Sequence, residues 1–256
     1  MIVVPEQIKR LNERHDQELF TYQIAVDNLK AKPEVNTFSG EYINAKVIGY
    51  TQPSPEYIDK FSDVKDLVVY CARVSNPSNQ LNTKTSDKLI KYLIDNKHWS
   101  PLEMASVTME IETTRDIARQ LLRHRSFSFQ EFSQRYADPT KDMQFVLREA
   151  RLQDMKNRQN SLETDNEQLQ EEWDVHQQKV IQAAVGAYTW AIEHGLAKEQ
   201  ARVVLPEGNT TSRLYVQGTI RSWIHYIEVR EHESTQKEHR VLANKVAKVI
   251  YDMFSV

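Results

Sequence analysis

The chain has 256 residues, of which 40% are hydrophobic and 27% charged, with a net charge of −3. That length and composition allow one large domain with a sizeable core, and the acidic balance argues against a protein that coats a nucleic-acid polymer. Mean hydropathy is −0.63, and no apolar run approaches the roughly 18 residues of a membrane-spanning helix, so no membrane partner is expected.

Met1-Ile2-Val3-Val4 is followed at once by Pro5, Glu6 and Lys9. This is not a signal-peptide pattern, and a cytoplasmic protein is expected. Residues 5–31 have a helical rhythm, with Ile8, Leu11, His15 and Leu19 separated by charges; Pro33 ends it and Ser39-Gly40 makes a break. Residues 1–40 therefore read as an N-terminal helical extension. In Glu41–Tyr50, Ile43, Ala45 and Val47 alternate with polar neighbours, which predicts a strand. A turn at Pro53-Ser54-Pro55 leads to a helix over 63–75, with Leu67, Val68, Cys71 and Ala72 on its inner face. Cys71 is the only cysteine, which rules out an internal disulfide and a cysteine-cluster metal site; it reads as a core thiol rather than a nucleophile. After a loop at Asn76–Asn79, Ser86–Lys97 is an amphipathic helix with Leu89, Ile90, Leu93 and Ile94 as its stripe, stopped by His98-Trp99-Ser100-Pro101.

Val107, Met109 and Ile111 mark a half-buried strand. Thr113-Thr114 supplies an N-cap for a helix with Ile117, Ala118, Leu121 and Leu122 inward and Arg115, Arg119 and Arg123 aligned on the other side. Residues 151–178 are polar and acidic, and predict a mobile loop leading into a helix. Val180, Ile181, Ala184, Val185, Tyr188 and Ile192 then make a buried helix capped by Gly195. A short helix over 197–205 stops at Pro206, and Leu214 and Val216 lie in a short strand. Ile220, Trp223, Ile224 and Ile227 are the inner stripe of a helix whose outer side carries Arg221, His225 and Glu228, with Arg230 following. The last helix starts near Gln236, with Leu242, Val246, Val249, Ile250 and Met253 inward. Helices with interspersed short strands, in no regular βαβ alternation, predict an α+β fold with a small sheet over residues 41–256.

The chemistry concentrates in Arg123-His124-Arg125-Ser126-Phe127-Ser128-Phe129-Gln130-Glu131-Phe132-Ser133-Gln134-Arg135-Tyr136. The run is too aromatic for a solvated surface and too charged for a core. Both properties fit a pocket in which rings exclude water and guanidinium groups meet a bound anion. The chain has six glycines and neither GxGxxG nor GxxxxGK[ST], so neither common phosphate-binding glycine loop is available, and the anion, phosphate or carboxylate, would be met by arginine side chains. His124, between two cations, is expected to disfavour its protonated form. His98 and Ser100 fit either a helix stop or a site, and Arg202 either a salt bridge or an anion contact. The remaining histidines show no metal-ligand spacing, so no metal is expected.

Arg123-His124-Arg125, then Ser133 and Arg135-Tyr136, resembles the signature of the flavin-dependent thymidylate synthases. Ala72-Arg73-Val74-Ser75, Lys97–Glu103, Ala118-Arg119-Gln120, Ala201–Pro206, Arg221–His225 and Thr235–Glu238 extend the resemblance in the same order, over about Lys46 to Ile250. It implies an α+β catalytic domain at 41–256, assembled as a homotetramer with shared active sites. It implies conversion of deoxyuridylate (dUMP) to thymidylate (dTMP), with methylenetetrahydrofolate giving the carbon, FADH2 the hydride and NADPH the reducing power, and no enzyme cysteine as nucleophile. Carried over residue by residue, Gln120, Arg123, Glu131, Phe132, Ser133, Gln134, Arg135, Arg202 and Arg230 would hold the nucleotide. Ser75, His98, Ser100, Arg123, His124, Arg125, Gln130, Glu131, Arg221 and His225 would contact FAD. Ser133, Arg230 and His98 would be the catalytic residues. Gln130, Gln134, Thr219 and His225 depart from residues common in the family. His98 and the 151–178 segment are read as helping to admit folate. Two rival readings are a nucleic-acid-binding face on Arg115–Arg125 and an oligomerisation domain docking through residues 5–31.

Overall fold

Strict alternation of apolar and polar residues builds the sheet at the centre of the fold. The computed structural model describes Thr37–Phe38 and residues 41–254; the helix expected at 5–31, its stop at Pro33 and the break at Ser39-Gly40 lie outside them. After a two-residue strand β1 (Thr37–Phe38), β2 (Asn44–Tyr50) pairs antiparallel with β3 (Ser106–Thr114). In β3, Val107, Met109 and Ile111 are fully buried while Thr108, Glu110 and Glu112 keep partial access to water. Each of those three side chains contributes roughly 1.5–3 kcal/mol by leaving water.

Between β2 and β3 lie α1 (Val64–Ala72) and α2 (Ser86–Asp95). The Asp63 carboxylate caps α1 by accepting from the Asp66 N–H at 3.1 Å. The buried positions of α1 include Val68 and Val69, whereas Cys71 is only half-buried. The expected inner face is therefore rotated, and Cys71 lies at its edge rather than in the core.

After β3 come α3 (Arg115–Leu121), β4 (Ser128–Glu131), the single turn α4 (Pro139–Asp142) and β5 (Phe145–Val146), which pairs with β1. The polar run from 151 is not a plain loop. It forms a hairpin of β6 (Arg151–Gln153) and β7 (Ser161–Glu163), followed by α5 (Glu167–Glu193). The Asn166 side chain starts α5 by accepting from the Leu169 N–H at 3.0 Å, and Gly195 at φ +78° follows its end. Val180, expected inward, is 55% exposed. Ile181, Val185 and Tyr188 pack instead with Phe145, Ala201 and Leu205 in a satellite cluster.

The short helix expected at 197–205 divides into α6 (Lys198–Ala201) and a 3-10 turn at Arg202–Val204. The strand around Leu214 and Val216 is longer than expected. β8 (Thr211–Thr219) runs antiparallel to both β3 and β4, giving the sheet order β2-β3-β8-β4. Then α7 (Ile220–Arg230) and α8 (Lys237–Phe254) lay Trp223, Leu242, Val246 and Ile250 on the apolar face of the sheet. The result is the expected α+β arrangement, with the ends of α3, β4 and α7 on neighbouring elements.

Candidate active site

The Arg123–Tyr136 run does not sit on the helix that precedes it. α3 ends at Leu121, a turn carries Arg123, His124 and Arg125, and β4 then adds to the sheet with Ser128 opposite Gln217 and Glu131 opposite Leu214. Phe127 is the joint. Its ring packs on Trp223 at 4.4 Å between centroids and lies 6.0 Å from Tyr226 and 6.3 Å from His124. Gly218 makes room for it: a Cβ there would come within 2.2 Å of Phe127 Cδ1. One buried ring thus ties the turn to the core while Arg123 and Arg125 stay exposed.

Arg230, at the end of α7, reaches the same turn. Its Nε donates to His124 Nε2 at 2.9 Å. The accepting nitrogen must carry a lone pair, so His124 is neutral with its proton on Nδ1. Burial first, then the charges of Arg230 and His225, push its pKa down to about 4. The direction is the one expected from sequence; the cause is burial and groups from α7 rather than the flanking arginines.

The arginines fall into two sets. Arg115 is buried and donates to Glu131 at 3.2 Å, while Arg119 is held by Glu207. Glu131 also accepts from Ser212 Oγ at 2.9 Å. Two of the four arginines in the Arg115–Arg125 stretch are thus engaged by carboxylates, which weakens the basis for a nucleic-acid surface. Arg135 pairs with Glu199 at 3.2 Å and Arg221 with Glu103. Arg123, Arg125 and Arg202, by contrast, have no acidic partner among the described residues.

Arg221 and His225 border a cavity of about 560 Å³ together with Trp99, Ser126 and Ser222. Three stretches singled out in the sequence meet there: the 98–103 turn, the Arg-His-Arg turn and the outer side of α7. Phe132 donates its N–H to Arg213 O at 2.9 Å, and Ser133 Oγ accepts from the Arg135 N–H at 3.4 Å. Gln134 is buried, and its Nε2 has no hydrogen-bond partner among the described residues. Gln130 projects from β4 into solvent.

Ser75, His98 and Ser100 are exposed, and no hydrogen bond or ion pair among the described residues ties them, or Arg202, to the 123–136 run. The His98 N–H bonds Leu93 O at 2.7 Å, and Lys97 adopts φ +57°, so this segment does stop α2. Sequence reading gave no role to His239, which meets Gln120 and packs on Tyr226, or to Arg148 and Arg151, which hold the Glu238 carboxylate that Gln236 also reaches. The match at Thr235–Glu238 pointed to that region, but nothing in the spacing singled out His239.

The turn of this α+β domain thus carries two exposed guanidinium groups with no acidic partner among the described residues. The family model described as thymidylate synthase complementing protein matches residues 56–254. A probable flavin-dependent thymidylate synthase of Paramecium bursaria Chlorella virus 1 is 47% identical over 212 residues, covering 83% of this chain and 95% of that protein. The flavin-dependent thymidylate synthase of Synechocystis sp. is 44% identical over 212 residues, covering 83% and 96%. Among solved structures, the UMP/dUMP methylase PolB from Streptomyces cacaoi, bound with 5-Br UMP, superposes with a TM-score of 0.70 at 24% identity, covering 86% of this chain and 93% of that one; at that identity the likeness speaks for the fold. The chain belongs to the flavin-dependent thymidylate synthase family and is an enzyme of that type.

Proposed function

We propose that the enzyme converts dUMP to dTMP by reductive methylation, taking its carbon from methylenetetrahydrofolate and its reducing power from NADPH by way of FAD. The observation that carries this reading is the 2.9 Å hydrogen bond from Arg230 to His124. It joins a residue expected to hold the nucleotide to one expected to hold the flavin, so the two ligands would meet at this point. The residues present fit FAD. Arg125 and Arg123 offer a diphosphate guanidinium groups that have no acidic partner among the described residues, the cavity beside Trp99 has flat and polar walls, and His124 presents an Nδ1–H donor. When bound, reduced FAD supplies the hydride.

The chain's own contribution is binding and orientation. Arg202, Arg123 and Arg135 would hold the nucleotide, aided by Gln120, Glu131, Phe132, Ser133, Gln134 and Arg230. Arg135 is engaged by Glu199, but that pair is exposed and worth about 0–1 kcal/mol, so a dianionic phosphate outcompetes it. Ser75, His98, Ser100, Gln130, Glu131, Arg221 and His225 complete the flavin set. Those that share no hydrogen bond with the 123–136 run are read as serving a site completed by a neighbouring subunit in a homotetramer. Val203 and Tyr136, 81% and 85% exposed beside Arg202 and Arg135, are the kind of apolar surface such a neighbour would cover. Ser133, Arg230 and His98 are the residues proposed to act nearest the chemistry. Cys71 fits no nucleophilic role, since burial pushes its thiol pKa up and keeps it protonated.

Purified protein should be yellow or should take up FAD with a flavin absorption band. A folded protein that stays colourless with FAD added would overturn the reading.

A further inference from the structure

A chain of hydrogen bonds with only one consistent direction runs from α8 to Gln120. It starts at Glu238, a buried carboxylate held by Arg148 at 3.1 Å and by Arg151. Burial alone would raise its pKa, but those two charges outweigh it and hold the value at about 2, so the group only accepts. Gln236 Nε2 donates to Glu238 Oε2 at 2.9 Å, which turns Gln236 Oε1 toward Gln120. Gln120 must answer with its Nε2, at 2.9 Å. Its Oε1 therefore faces His239 Nδ1 at 3.1 Å, and that nitrogen must carry the proton.

His239 is fully buried, and its Nε2 has no hydrogen-bond partner among the described residues. Its ring contributes a single polar contact, to Gln120. An apolar side chain would fill the same space without leaving a buried lone pair unsatisfied, so packing alone gives no reason for an imidazole here.

We propose that His239 is a positioning residue that, with Gln236, locks the Gln120 carboxamide in one orientation and leaves it one hydrogen and one lone pair to offer the bound nucleotide. The inference rests on the reading of Gln120 as a dUMP contact. Burial, then the charges of Arg230 and His124, push the His239 pKa down to about 3, so the donor is a neutral imidazole across the working pH range.

The test titrates dUMP into full-length, FAD-loaded enzyme and compares His239→Leu, His239→Asn and Gln120→Ala with the parent, alongside FAD affinity and melting temperature. The Asn amide nitrogen can occupy the place of Nδ1; Leu cannot donate. The expected result is a dUMP Kd raised about tenfold in His239→Leu, the order of one lost buried hydrogen bond. His239→Asn should recover to within about threefold, with FAD affinity unchanged in both. Parent-like binding in His239→Leu, or equal weakening in the Leu and Asn variants, overturns the proposal while the nucleotide reading stands, provided Gln120→Ala weakens dUMP. Parent-like dUMP binding in Gln120→Ala removes the nucleotide reading of Gln120, and the proposal falls with it.

Discussion

Arg202 isolates the contribution of a single side chain, because its charge has no acidic partner among the described residues. Its guanidinium meets no carboxylate among the described residues, so Arg202→Ala removes no ion pair from that part of the fold. The variant should melt within about 2 °C of the parent, while its KM for dUMP rises on the order of 10- to 100-fold, as expected for a lost charge-assisted phosphate contact. A fall in melting temperature with unchanged KM would assign it a structural role instead. Two histidines, His239 buried and His124 half-buried, set the acid limit of the fold. His124 and His239 titrate near 4 and 3 in the folded enzyme, against an ordinary value of 6.5. The unfolded chain binds more protons in that interval, so their contribution is fully present above about pH 6.5 and is lost as pH falls toward 3. His239 alone accounts for on the order of a few kcal/mol. It faces Arg230, His124, Tyr226 and Gln120, of which only His124 titrates in the same window. Melting temperature should drop steeply from pH 6.5 to 4 in the parent and less steeply in His239→Leu; equal slopes would contradict this. The charged groups of the site were legible in the sequence because arginine beside phenylalanine violates both surface and core composition. His239 was not, because a lone histidine on an apolar helix face carries no signal until its partner's orientation is known.

At the scale of elements, the seat of Phe127 on Gly218 controls how the Arg-His-Arg turn meets the sheet. Gly218→Ala would drive a methyl into the ring. Overpacking of this kind costs about 1–3 kcal/mol, and relief requires the turn to move. We expect a lower melting temperature together with weakened FAD uptake; loss of stability with FAD affinity intact would show that the turn tolerates the shift. Strands and amphipathic helices were read correctly wherever apolar spacing was strict, as in β3 and α2. Reading failed where polar composition stood in for structure. The 151–163 stretch is rich in charge yet closes a hairpin, because Asp154 gathers the Lys156, Asn157 and Asn160 donors into a tight turn. It also failed at β8, whose Arg213, Tyr215 and Gln217 face outward and hid a nine-residue central strand.

For the whole molecule, the α+β class followed from the irregular order of helices and strands, whereas the pairing β2-β3-β8-β4 depends on contacts between residues far apart in the chain, from Tyr50 opposite Val107 to Ser106 opposite Thr219, that no local pattern reveals. Assembly is a proposal at this scale. If residues 1–40 dock between subunits, deleting residues 1–35 should lower the mass in solution; an unchanged oligomer would remove that role. The central claim is that Arg123–Tyr136, Arg202 and the end of α7 bring a flavin and a uridine nucleotide together. Its most direct test is NADPH oxidation by the full-length enzyme supplied with FAD and methylenetetrahydrofolate, with and without dUMP, while dTMP is quantified. We predict oxidation coupled to dTMP formation that requires dUMP and is lost in Arg202→Ala. Robust NADPH oxidation with no dTMP formed, in a folded flavin-loaded enzyme, would contradict it.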